Sequence, residues 1–128
     1  IMRMQKTFRD IVKKDGTFIA PDDFSEVIDN GKAFIDPGVK MGEGWLLTGE
    51  VVSLIKSGVT NVISAQPFGC LPNHIVAKGM VRKIKDEYPK ANIVAIDYDP
   101  SASKVNQENR IRLMLANAKL SEEMKASI

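Results

Sequence analysis

A single cysteine, a single histidine and a single tryptophan stand in a chain of 128 residues, and aromatic residues make up only 6% of it. One cysteine forms no internal disulfide, which excludes the small secreted scaffolds that depend on bridges. No apolar run reaches the roughly 18 residues that a membrane-spanning helix needs, and no basic-then-apolar secretory leader is expected. Charge of one sign is lacking too: 18 basic residues are scattered among 16 acidic ones, for a net charge of +2. Neither nucleic acid nor a membrane is therefore an expected partner, and a reducing cytoplasm is the expected location. What is present is 44% hydrophobic residues, enough to bury one core without staples. The chain opens on Ile1 rather than methionine, so excision from a larger polypeptide is the expected origin of that boundary.

The organising stretch is Asn61 to Ile75, an apolar β-branched run that breaks at Pro67, Gly69 and Pro72 and then opens a helix near Asn73. It holds both Cys70 and His74. A second apolar run, Ile93-Val94-Ala95-Ile96, follows a helical pattern carrying Ile75, Val76, Met80 and Ile84. Two fully buried parallel strands around a right-handed crossover helix are expected, with the loops that leave their carboxyl ends side by side. Upstream, Met4, Phe8, Ile11 and Val12 have helical spacing opposite Lys6, Arg9, Lys13 and Lys14. Pro21-Asp22-Asp23 opens a second helix carrying Phe24, Val27 and Ile28 inward. A third helix runs from about Glu43 to Ser57, with Gly58 placed as its left-handed cap. Thr17 to Ala20 is a weak candidate for another strand. The last helix is expected from about Ala102 to Leu120, turning Val105, Ile111, Met114, Leu115 and Ala118 inward. The expected division is a helical N-terminal arm over residues 1–40, an α/β domain over 41–120 and a fraying tail over 121–128.

Cys70 lies just before a helix start, a setting that favours thiolate as metal ligand or nucleophile; a small buried hydrophobe is the plain alternative. His74 could join it, but two ligands do not complete a metal site. Asp97-Tyr98-Asp99 after an apolar strand resembles the two-aspartate motif of haloacid-dehalogenase-type phosphatases, which implies a nucleophilic first acid and a general-acid second, yet too little chain follows to supply the further lysine and acids those enzymes need. A calcium loop using Asp97, Asp99, Ser101 and Glu108 fails because Ala102 stands where glycine is needed and Pro100 intrudes. Acids charging a helix start are the plain reading. Gly42-Glu43-Gly44 could cradle an anion at a helix start but has no phosphate-loop lysine.

Three segments carry a resemblance: Gly42-Glu43-Gly44-Trp45-Leu46-Leu47-Thr48, Gln66-Pro67-Phe68-Gly69-Cys70-Leu71-Pro72-Asn73-His74, and Ile93 to Pro100 with Asn106 to Leu115. Together, across residues 18–118, they resemble the C-terminal region of the large acyl-CoA dehydratase activase-related proteins, relatives of the activator and subunits of 2-hydroxyglutaryl-CoA dehydratase. The resemblance implies a Rossmann-like fragment within a multidomain parent. It implies that Cys70 is a ligand of a four-iron, four-sulfur cluster in that parent, with Gly69, Pro72, Asn73 and His74 shaping its loop and Asp97 and Asp99 on the neighbouring loop. The cluster is expected only in the intact parent, the isolated chain folding without it and carrying no activity of its own. The implied partners are other domains of the same polypeptide and a dehydratase or acyl-CoA substrate. ATP-dependent activation would lie in the parent, since no ATP-binding motif occurs here. A docking module without a cofactor is the alternative from a different class.

Overall fold

The computed structural model describes residues 2–39, 42–98 and 103–126. Asp99 through Ala102 therefore lie outside the described residues, and with them one acid of the Asp97-Tyr98-Asp99 stretch. The elements are α1 (Met2–Asp15), α2 (Phe24–Lys32), α3 (Gly44–Lys56), β1 (Asn61–Gln66), a π-helical turn (Pro72–Ala77) running into α4 (Lys78–Glu87), β2 (Asn92–Asp97) and α5 (Lys104–Ala126). The protein is thus mixed α/β, and its helices outweigh its sheet.

β1 and β2 pair in parallel, in register from Asn61 opposite Asn92 to Gln66 opposite Asp97. They are the only strands among the described residues. The π-turn and α4 connect them, so both strands end on the same edge, and the βαβ expectation holds. Val62 and Ile93 turn to one face of the sheet, where Phe34, Val52, Ile84 and Ala91 complete a core. Val52 and Ile84 are sealed from solvent, and burial of such a side chain contributes about 1.5–3 kcal/mol. On the other face α5 packs on β2, and Asn92 Nδ2 donates both to Asn61 Oδ1 and to the Met114 carbonyl at 2.9 Å.

α2 crosses α3 closely because Gly49 allows it: a Cβ there would collide with the Val27 carbonyl oxygen. Asp23 caps α2, accepting from the Ser25 amide at 3.0 Å. α3 ends in a Schellman arrangement, Gly58 donating to the Ile55 carbonyl and Val59 to the Leu54 carbonyl, both at 3.0 Å. Gly58 takes a φ of +98° to do so, as its position in the sequence implied.

Several expectations are corrected. β1 is not buried on both faces: α5 packs chiefly on β2, and Ile63 remains 48% exposed. Thr17 to Ala20 forms no strand, and Phe18 and Ile19 point into solvent. The last helix continues through the region expected to fray, to Ala126, because no glycine or proline interrupts Ser103 to Ala126 and Glu, Met, Lys and Ala favour helix. Among the described side chains of α5 only Met114 is buried, while Val105 and Leu115 are exposed, since a helix lying chiefly on one strand has a narrow contact. Ile75 is likewise exposed. α1 keeps its amphipathic pattern but not its burial. It is tied down on its polar side, Arg9 to Asp23 at 2.6 Å and Gln5 to the Asp22 carbonyl at 3.4 Å, leaving Met4, Phe8 and Ile11 exposed. No helix among the described residues is long and apolar enough to cross a membrane.

Candidate functional site

Proline at position 67 has no N–H to continue the ladder, so β1 stops at Gln66. A tight turn follows, Cys70 N–H donating to the Pro67 carbonyl at 3.3 Å. Its third residue is Gly69, with a φ of +76° and no neighbour near its missing Cβ. Backbone conformation alone calls for glycine there.

Cys70 then begins the helical segment. Its carbonyl accepts the His74 amide at 2.9 Å and lies 3.0 Å from His74 Nδ1. Pro72 fits the first turn, where a missing N–H costs nothing. Asn73, buried, donates from Nδ2 to Cys70 Sγ at 3.1 Å. The first turns are π-helical, with Lys78 N–H reaching back to the Asn73 carbonyl. Such wide turns are frequent at functional sites. Here the turn sets Asn73 and His74, neighbours in sequence, against two different atoms of Cys70.

The Gly42-Glu43-Gly44 segment backs this turn. A Cβ on Gly44 would stand 2.9 Å from Val76 Cβ and 3.2 Å from Pro72 Cα, so that glycine is explained by packing. Its neighbour Thr48 is fully buried and its hydroxyl has no hydrogen-bond partner. Outside the turn, Phe68 and Leu71 are exposed on either side of Cys70, which is itself half-buried. The Phe68 ring meets the His74 ring edge-on, with centroids 6.3 Å apart.

From the neighbouring strand comes Asp97. Its Oδ1 accepts from Gln66 Nε2 at 2.8 Å and lies 3.4 Å from His74 Nε2. The same Gln66 Nε2 is 3.1 Å from His74 Nε2. Gln66 is 2% exposed, and its Oε1 has no hydrogen-bond partner. Gln107 of α5 donates to the Asp97 carbonyl at 2.9 Å, anchoring the end of β2.

The structure therefore brings together Gly69, Cys70, Pro72, Asn73, His74 and Asp97 at one edge of the sheet, and Asp99 lies outside the described residues. Gln66 and Gln107 were missed by sequence reasoning. Gln66 had a signal: it shares a face with Val62 by the strand period of two, yet it is an amide where an apolar residue belongs. Cys70 Sγ has one N–H donor beside it, from Asn73. Among the described residues no three His, Cys, Asp or Glu side chains group so that they could hold a metal ion. Comparison with known proteins gives no match: no family model, no curated protein and no solved structure is significantly similar to the chain.

Proposed function

We propose that Cys70 supplies one thiolate ligand to an iron–sulfur cluster assembled by a larger polypeptide of the acyl-CoA dehydratase activase-related kind. The observation that carries this reading is the Asn73 Nδ2–H···Sγ hydrogen bond at the edge of the sheet. Hydrogen bonds to ligand sulfurs are one of the means by which proteins tune such clusters. When bound, the cluster supplies one-electron transfer. The residues of this chain would hold the sulfur in place, stabilise its charge through Asn73 and exclude water through Phe68 and Leu71, whose exposed side chains suit a covering domain. Three further ligands would come from other domains of the polypeptide, and a 2-hydroxyacyl-CoA dehydration system in the cytoplasm is the proposed setting.

The reading is tested by thiol protection. In the intact parent, anaerobic reconstitution with iron and sulfide should block alkylation of Cys70, and removing the iron with a chelator should restore it. Equal labelling before and after reconstitution would count against the proposal.

A second reading, a docking module without cofactor, draws on α1, whose Met4, Phe8 and Ile11 are exposed. It predicts that Cys70 labels equally in all states of the parent.

A further inference from the structure

The geometry points to Gln66 and Asp97 acting together to set the tautomer of His74, and through it to hold the Cys70 carbonyl. Gln66 is thereby a positioning residue for the Cys70 loop. The purpose of this arrangement rests on the reading of Cys70 as a ligand, but the arrangement itself belongs to the metal-free chain.

The assignment begins at Asp97. An ionised carboxylate only accepts hydrogen bonds, so the end of the Gln66 amide that approaches Oδ1 at 2.8 Å must be the donor, Nε2. That nitrogen also stands 3.1 Å from His74 Nε2, whose own distance to Asp97 Oδ1, 3.4 Å, is beyond a well-formed N–H···O bond. An amide nitrogen has no lone pair to offer, so the ring nitrogen is the acceptor and carries no proton. The proton of the neutral imidazole then sits on Nδ1, where the Cys70 carbonyl accepts it at 3.0 Å. Asp97 orients Gln66, Gln66 selects the tautomer, and the tautomer secures the carbonyl of the residue that bears the thiol.

The unpartnered Gln66 Oε1 is the corollary. Turning the amide end for end would give that oxygen an Nε2–H to accept, but would set it against Asp97 Oδ1. One buried acceptor is left unsatisfied so that both amide protons are used.

The chain contains one histidine, so a two-bond 1H–15N correlation spectrum of the uniformly labelled protein reports His74 alone. At mildly alkaline pH the wild type should show a protonated Nδ1 and a bare Nε2, the reverse of the tautomer that free histidine favours in water. Asp97→Asn should keep this pattern, because its side-chain oxygen can still accept from Gln66. Asp97→Ala frees the amide to turn, and Gln66→Met leaves Nε2–H to face Asp97; both should move the proton toward Nε2. In these two variants, and not in Asp97→Asn, Cys70 should alkylate faster as its carbonyl loses the ring donor. A wild type with the proton on Nε2 or shared between the nitrogens overturns the proposal, as does an unchanged pattern in either of the two variants. Should both variants fail to fold by circular dichroism, the wild-type spectrum still decides. No iron is present, so failure of the cluster reading would leave this result standing.

Discussion

Gln66 and Asp97 face each other on the last rung of the parallel ladder, joined through their side chains at 2.8 Å. The pairing of the two strands and the shape of the Cys70 loop are therefore one arrangement, because the residue that closes the ladder also touches His74.

Replacing Gln66 should cost little stability. The charge-assisted hydrogen bond to Asp97 contributes about 1.5–3 kcal/mol, but the buried, unpartnered Oε1 costs about 1–3 kcal/mol. Gln66→Met removes both, so urea denaturation should place the variant within about 1 kcal/mol of wild type. A much larger loss would assign Gln66 to the framework of the fold.

The crossing of α2 on α3 should not tolerate a methyl group. Gly49→Ala places a Cβ against the Val27 carbonyl oxygen, and overpacking of this kind costs about 1–3 kcal/mol. Gly79 in α4 has nothing within 4 Å of its missing Cβ, so Gly79→Ala should raise stability by about 0.5–1 kcal/mol through helix propensity. Thermal melts of the two variants should move in opposite directions.

Asp23 gives the cap of α2 a pH dependence. The Ser25 hydroxyl, then the Ser25 amide and the Arg9 guanidinium, hold its carboxyl below the ordinary carboxylate value, against an opposing effect of burial. A depressed carboxyl contributes stability above its unfolded value and loses it as the pH falls through the folded one. Asp23→Ala should therefore melt lower than wild type at pH 7, with the gap closing below the ordinary aspartate value of about 3.9. A gap that stays constant or widens in acid would show that the carboxylate charge is not what stabilises the cap. The same variant releases Arg9, so amide exchange in α1 should quicken.

The sequence made the βαβ unit legible because Val62-Ile63 and Ile93 to Ile96 are short apolar runs rich in β-branched residues and flanked by turn residues, with a 3.6-residue period between them. Gly58 was legible as a left-handed cap, whereas Gly69 was visible only as a break in regular structure and its positive φ came from the structure. Burial was less legible. Ile63 and Met4 have the pattern of core residues, and pattern alone does not say whether a covering element exists. α5 outran its expected end because nothing in Ser121 to Ala126 stops a helix. The site was half legible: the loop residues were visible as a string, whereas the link from Gln66 to Asp97 depends on strand register, which neither strand's sequence specifies by itself.

The central claim is that Cys70 is a cluster ligand, and it is tested most directly by anaerobic reconstitution of the intact parent with wild-type Cys70 and with Cys70→Ser. The account predicts that the variant loses bound iron and the cluster's visible absorbance while keeping its circular dichroism spectrum. Iron content and absorbance equal to wild type would contradict it and leave the Cys70 loop as a docking element.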